Sequence, residues 1–261
     1  MKLNKLIAIA TISLLSGGIS MAQKALNLED IVAGNIIQTK GIGSMTWLKD
    51  GERYSRLENN KQTGGTDIVA YRAKDNSREV IIPSSLLTDK STGRPIPVRS
   101  VSWSADNEKV LIYNNTRRVW RYDTRGDYWV LNLKDGALRQ LGKGMPESSM
   151  MFAKFSPDGT RVAYVSNNNI YVEDIDSGKI TQLTKDGSDT IVNGTFDWVY
   201  EEEFSCRDGF RWSPDGKHIA YWQSDTKGTG VFDIINNVDS IYAKVIHFPY
   251  PKAGTTNSAV K

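Results

Sequence analysis

The chain has 261 residues, a formal net charge of +3 and 39% hydrophobic side chains, enough to bury one large core or two ordinary ones. Two of its lysines, Lys2 and Lys5, fall in the first 22 residues, so the remainder is nearly neutral and carries no basic stripe of the kind that binds nucleic acid. A single cysteine, Cys206, excludes an internal disulfide framework, and no Cys/His cluster with ligand spacing implies a metal or another cofactor.

Lys2 and Lys5 precede an apolar run from Leu6 to Leu15, followed by Ser16-Gly17-Gly18 and the small-residue pattern Ser20-Met21-Ala22. This is the layout of a secretory signal peptide, with an apolar run too short to span a bilayer. Cleavage is expected after Ala22, giving an exported chain, periplasmic or secreted, that begins at Gln23. Residues 23–45 read as an N-terminal segment in which Asn27-Leu28-Glu29-Asp30 caps a short helix running into Ile31 and Val32.

From residue 46 to residue 261 a repeat organises the sequence. Trp47-Leu-Lys-Asp-Gly51, Trp103-Ser-Ala-Asp-Asn107, Phe155-Ser-Pro-Asp-Gly159 and Trp212-Ser-Pro-Asp-Gly216 align, with lead aromatics 56, 52 and 57 residues apart. Ser-Pro-Asp-Gly sets one φ with proline and allows a positive φ at glycine, which turns the chain tightly between two strands. β-Rich runs follow the last three turns: Val110–Tyr113, Val162–Val165 and Ile219–Trp222. Further strands run through Tyr128–Leu133 and Ile170–Ile175 into the turns Asp135-Gly136 and Ser177-Gly178. Several short antiparallel strands per unit at a fixed period predict an all-β fold, a partial β-propeller with four-stranded blades, over a β-sandwich. Four units are visible, with the opening of a fifth after Asn236.

Two places break the period. The second unit takes 33 residues from lead aromatic to second-turn glycine where the third takes 23, and the surplus within Tyr113–Arg125 carries Arg117, Arg118, Arg121 and Arg125. The interval from Leu183 to Trp212 is 29 residues against 14 between Leu141 and Phe155, and that surplus contains Glu201-Glu202-Glu203 among Trp198, Tyr200 and Phe204. Insertions in repeat proteins map to loops, where recognition resides. Three adjacent carboxylates beside aromatic rings lose solvent screening and call for a cation. An acidic and an arginine-rich insertion in neighbouring blades form either one polar site for an amine and a carbonyl, or a salt bridge between themselves. Three adjacent Glu without supporting oxygen ligands make a poor calcium loop.

Asp197-Trp-Val-Tyr-Glu-Glu-Glu-Phe204, preceded by Asn193-Gly194-Thr195 and joined by Trp120-Arg121 and Pro249-Tyr-Pro-Lys-Ala-Gly254, resembles the N-terminal β-propeller of dipeptidyl peptidase IV-like serine peptidases of the prolyl oligopeptidase superfamily. The resemblance covers nearly the whole chain after the signal segment, about half of an eight-bladed family propeller. It implies an exopeptidase that releases N-terminal Xaa-Pro or Xaa-Ala dipeptides. It also implies that Glu202 and Glu203 grip the α-ammonium of the peptide, that Arg121 contacts a substrate carbonyl, and that Glu201 is the outward member of the three. An α-amino group is largely protonated near neutrality, so paired carboxylates would select a free N-terminus.

Family members carry a C-terminal α/β-hydrolase domain with a nucleophilic Ser in a Gly-x-Ser-x-Gly elbow, and this sequence has no such elbow. His218 and His247 are the only histidines, neither beside a recognisable nucleophile, so no catalytic residue is assigned. Two functions from different classes follow. The first is the substrate-recognition portion of an exported dipeptidyl peptidase IV-like enzyme, without its catalytic domain and inactive alone, whose ring a hydrolase domain or a second copy would complete. The second is a stand-alone propeller that binds or assembles without peptidase activity. Neither implies a nucleic-acid partner or a membrane span.

Overall fold

The computed structural model describes residues 27–32, 41 and 43–261. The expected signal peptide lies outside these residues. Among them no helix is long and apolar enough to cross a membrane. The predicted short helix is present as α1 (Leu28–Val32), in which the Ile31 amide donates to the Asn27 carbonyl at 3.3 Å. It belongs to an N-terminal unit ending at Ile42, and all that follows belongs to a second unit, Gly43–Lys261.

Three four-stranded antiparallel sheets succeed one another in that second unit. The first contains β1 (Thr46–Trp47), β2 (Arg53–Asn59), β3 (Thr66–Arg72) and β4 (Arg78–Ile82), in that order. A 3-10 turn (Ser84–Leu87) and the paired two-residue strands β5 (Thr88–Asp89) and β6 (Arg94–Pro95) lead to the second. It runs β7 (Ser100–Trp103), β8 (Lys109–Val119), β9 (Tyr122–Asn132), β10 (Leu138–Gln140). The third runs β11 (Met151–Phe155), β12 (Arg161–Ser166), β13 (Asn169–Asp174), β14 (Ile180–Gln182). These are the predicted blades.

Side-chain alternation explains why the sheets stack. Val162 and Tyr164 of β12 pack with Leu111, Tyr128 and Val130 of the second sheet, whereas Ala163 and Val165 pack on the other side with Met151, Ile170 and Phe210. In β8, Leu111 joins the first of these cores while Val110 and Ile112 turn to Ile68 and Ile82 of the first sheet. Middle strands buried on both faces need a continuous apolar run, which is what Val-Leu-Ile and Val-Ala-Tyr-Val supply. Each fully buried Val, Ile or Leu contributes roughly 1.5–3 kcal/mol. Burial between blades is therefore the main force holding them in series.

The repeated turn has its own hydrogen bonds. The Ser104, Ser156 and Ser213 hydroxyls donate to Asp106, Asp158 and Asp215 at 2.6, 2.5 and 2.6 Å, and accept the amides of Lys109, Arg161 and His218 at 2.9, 3.0 and 2.9 Å. Asn107 takes the place of glycine at φ 60° because asparagine tolerates the left-handed region better than other side chains. Lead aromatics then staple neighbours together: Trp103 Nε1 donates to Ser55 Oγ at 3.0 Å, and Trp212 Nε1 to the Lys154 carbonyl at 3.3 Å. A buried carboxylate adds to them. Glu173 of β13 accepts from the Gly142 amide and Arg139 Nη1, each at 2.8 Å, and so ties the third sheet to the end of the second.

The fourth unit departs from the pattern. β16 (Phe210–Trp212) and β17 (Ile219–Tyr221) pair as expected, but β18 (Gln223–Asp225) pairs with β15 (Ile191–Asn193) and β21 (Ala259–Val260). The cause is the second insertion, which brings β15 alongside and offers Asn193, whose Oδ1 accepts from Gln223 Nε2 at 2.7 Å. The stretch after Asn236, expected to open a fifth unit, instead turns back. β19 (Val231–Asn236) and β20 (Lys244–Pro249) form a hairpin because their apolar residues fall opposite one another, Phe232 on Phe248 and Ile234 on Ile246.

Replacing Glu173 by Ala strands the Gly142 N–H and the Arg139 guanidinium, and the expected loss is about 2–4 kcal/mol, read from urea denaturation. A second expectation concerns acid. The Ser156 hydroxyl and the Thr160 amide, joined by the Thr160 hydroxyl and the nearby Arg161, hold the Asp158 carboxyl down at about 2 against the opposing effect of burial. A folded-state pKa below the unfolded one stabilises above pH ~4, and the contribution disappears as pH falls through about 2. Asp158→Asn should therefore lower the urea midpoint near neutrality, with the difference from the parent chain vanishing by about pH 2.

Candidate functional site

The first insertion is an extension of the second sheet rather than a loop. β8 and β9 pair from Lys109 opposite Asn132 out to Val119 opposite Tyr122, with register shifts at Asn114/Arg117 and Arg117/Val119 that twist the ribbon. At its base the Tyr113 hydroxyl donates to the Asp123 carbonyl at 2.8 Å. Burial, reinforced by the Asp123 charge, pushes that phenol up to about 12. Gly126 permits the crossing, since a Cβ there would lie 2.4 Å from the Tyr113 ring. The ribbon tip is Trp120-Arg121, with Trp120 in the left-handed region at φ 52°.

The second insertion folds into a helix, α2 (Trp198–Phe204). The Asp197 side chain caps it, accepting the Tyr200 amide at 3.1 Å on one oxygen and the Ser258 hydroxyl at 2.6 Å on the other. Ser205, left-handed at φ 55°, ends it, and the Cys206 amide closes back on the Tyr200 carbonyl at 3.1 Å. The sequence reading missed this helix, although Asp197 three residues before Tyr200 and a run of three Glu were available as start signals. Seven residues are too few for a helix to persist without tertiary contacts. An aromatic cluster supplies them. Trp198 lies 5.1 Å from Phe248 and 5.0 Å from Tyr250, and Trp120 of the ribbon tip lies 5.2 Å from the same Phe248, ring centre to ring centre.

The two insertions meet through charge above that cluster. Arg121 Nε lies 2.8 Å from Glu202 Oε2. The Glu202 side chain is 8% exposed and that of Arg121 76%, so the carboxylate is withdrawn from water while most of the guanidinium is not. Glu202 Oε1 is buried and accepts no hydrogen bond. Glu203 is exposed and has no ion-pair partner among the described residues.

Glu201 is not the outward member that was expected. Its side chain is 12% exposed, with Oε1 3.6 Å from Arg207 Nε. Burial raises its pKa, with Arg207 opposing and Glu202 adding to the rise. The reason is helical geometry: successive residues fan out by about 100°, so three in a row cannot share one direction. Here the fan sends Glu201 toward Arg207, Glu202 toward Arg121 and Glu203 into solvent. Arg207 also stacks over the Tyr122 ring at 3.5 Å, and its carbonyl accepts the Thr195 hydroxyl at 2.9 Å. One guanidinium thus touches the residue before Glu202 and the residue after Arg121. Neither Arg207 nor Tyr122 was singled out by the sequence reading, because their partnership spans separate insertions.

A stacked series of antiparallel blades carrying a charged helix against a charged ribbon defines part of a β-propeller whose two insertions meet. The chain belongs to the family described as the dipeptidyl peptidase IV (DPP IV) N-terminal region, whose model matches residues 104–261. It is 31% identical to the dipeptidyl aminopeptidase B of Saccharomyces cerevisiae over 242 residues, 87% of this chain and 28% of that protein. Against the prolyl endopeptidase FAP of Mus musculus the identity is 28% over 241 residues, 92% of this chain and 30% of the other. The crystal structure of Porphyromonas gingivalis dipeptidyl peptidase 4 superposes with a TM-score of 0.76 at 27% identity, covering 91% of this chain and 33% of that one. The chain therefore spans about a third or less of the length of these relatives.

Arg207→Ala should loosen the two insertions without unfolding the blades. A partly exposed cation–π contact is worth about 0.5–1 kcal/mol and the ion pair adds to it, so amide exchange in 117–124 and 198–206 should accelerate several-fold while that of β12 stays unchanged.

Proposed function

We propose that this chain is the peptide-recognition portion of an exported dipeptidyl peptidase IV-like exopeptidase, in which Glu202 and Glu203 hold the α-ammonium of a peptide and Arg121 contacts a backbone carbonyl. The carrying observation is the unfilled acceptor capacity at the site: Glu202 has an ion-pair partner, Arg121, at one oxygen while its other oxygen is buried without a hydrogen bond, and Glu203 has no ion-pair partner among the described residues. An ammonium has three donors and fits such a pair. Arg121 has five donors, of which Nε is engaged with Glu202, and its exposure leaves the others for a carbonyl. The salt bridge between the insertions and the recognition reading are compatible, since the bridge fixes where both groups stand before a peptide arrives.

Binding at the terminus and at a carbonyl a fixed distance away counts residues from the end of the peptide. The Saccharomyces cerevisiae relative is named a dipeptidyl aminopeptidase, and we assign dipeptide release, with Pro or Ala preferred at the second position, to the protein that contains this portion. The 261-residue chain alone is assigned no hydrolytic step, since its sequence holds no Gly-x-Ser-x-Gly nucleophile for either histidine to serve. Export through the segment 1–22 belongs to the same proposal.

Calorimetric titration tests the reading. A free-N-terminus Xaa-Pro peptide should bind and its N-acetylated form should not. Glu202→Gln and Glu203→Gln should each weaken binding at least tenfold, since charge-assisted bonds to an ammonium contribute about 1.5–3 kcal/mol. Because the protonated amine is the species held, affinity should fall as pH rises through about 8. Equal binding of the free and acetylated peptides would refute the assignment.

A further inference from the structure

Four arginines stand on the ribbon, and the side chains of two of them lack a partner among the described residues. Arg121 pairs with Glu202, and Arg118 Nη2 donates to the Arg121 carbonyl at 3.4 Å. Arg117 and Arg125 are direct cross-strand partners, placing two guanidinium-bearing residues opposite each other on one hairpin. Neither side chain forms an ion pair or hydrogen bond among the described residues. Like charges directly opposite destabilise a hairpin, and Arg125 is half-buried, which adds a desolvation cost. Its pKa is lowered, by burial first and then by the Arg117 charge, while Glu201 offsets part of the effect.

Arg125 faces a cavity of about 130 Å³ between the ribbon and α2. Thr124, Thr195 and Glu201 supply its polar wall, and Trp120 and Trp198 line it as well. Glu201 is already the counter-ion of Arg207. Arg125 and Glu201 are the charged residues lining the cavity, and with Glu201 engaged by Arg207 the Arg125 charge, opposite Arg117 on the ribbon, has no carboxylate of its own. The uncompensated guanidinium thus stands beside a polar space large enough for one small charged group.

We propose that Arg125, supported by Arg117, forms a carboxylate-binding subsite in this cavity. The proposal rests on the amine-binding reading for its role: Trp120 precedes Arg121 and Glu201 precedes Glu202, so the cavity adjoins the amine site. A peptide held at its terminus brings its own side chains to this cavity, and an acidic one near the terminus supplies the carboxylate. A free small carboxylate is the other source of the same chemistry.

Tryptophan emission of the intact chain reads the subsite directly, since Trp120 and Trp198 line it. Acetate, titrated at constant ionic strength, should change that emission saturably. The response should vanish in Arg125→Gln, survive in Arg125→Lys and weaken several-fold in Arg117→Gln, with circular dichroism confirming the fold of each. In a second arm, amidated tripeptides with Glu at the first or second position should bind about tenfold more tightly than their Gln counterparts, and Arg125→Gln should erase the difference. Acetate binding without Glu/Gln discrimination upholds the subsite and assigns it to a free carboxylate. Absence of both responses, or responses unchanged in Arg125→Gln, overturns it. The acetate arm involves no amine, so it decides this proposal even if N-acetylation leaves peptide affinity unaltered, the result that would sink the amine reading instead.

Discussion

Glu202 is a carboxylate taken almost wholly out of water, with an ion-pair partner at one of its two oxygens and no hydrogen bond at the other. Removing such a charge from solvent costs several kcal/mol even after local relaxation, and one ion pair with an exposed arginine returns only part of that. A protein that keeps this arrangement stores an unsatisfied demand for positive charge at one fixed point. Everything else in the second unit can be understood as what is required to keep that point fixed, because an unpaired carboxylate on a mobile segment would simply rotate into water.

The scaffold meets the requirement in two stages. Face-to-face burial between successive sheets makes the blades stiff, since each middle strand divides its side chains between two cores and cannot shift register without emptying both. The insertions are then fastened to the blades and to one another. Phe248 packs against Trp120 of the ribbon and Trp198 of α2, and Arg207 reaches from Glu201 to Tyr122. The hairpin β19–β20, which supplies Phe248, belongs to neither insertion, so the geometry of the pair depends on a third piece of chain.

The sequence made the blades legible because their signal is periodic. Trp103, Phe155 and Trp212 recur with a turn whose Ser, Asp and Gly, or Asn at 107, have local roles, and the structure places them in matching positions. The two insertions were legible as excess length and as charge of opposite sign, which was enough to single out Arg121, Glu202 and Glu203. Their conformations were not legible. Whether Tyr113–Arg125 is a loop or a continued ribbon depends on bulges at Asn114 and Arg117 that leave no composition signal. Whether 198–204 is helical depends on aromatic partners some fifty residues further on, at Phe248 and Tyr250. The fourth unit escaped for the same reason: β18 follows the repeat in sequence but takes the partner that the insertion brings within reach.

The helix matters to the chemistry beyond placing acidic residues. On an extended strand Glu201 and Glu203 would share one face and Glu202 the other, giving two carboxylates pointed together and one away. On α2 the three diverge, and divergence lets each acquire a different electrostatic surrounding: Glu201 neutralised by Arg207, Glu202 half-neutralised by Arg121, Glu203 screened by water. Mutual repulsion among three adjacent carboxylates is thereby reduced at two of them by separate guanidiniums from separate segments. The residual negative charge is concentrated at Glu202 and Glu203, beside the exposed guanidinium of Arg121. A free amino terminus, with its ammonium and its first carbonyl a few ångströms apart, has the complementary order of charges along its own backbone.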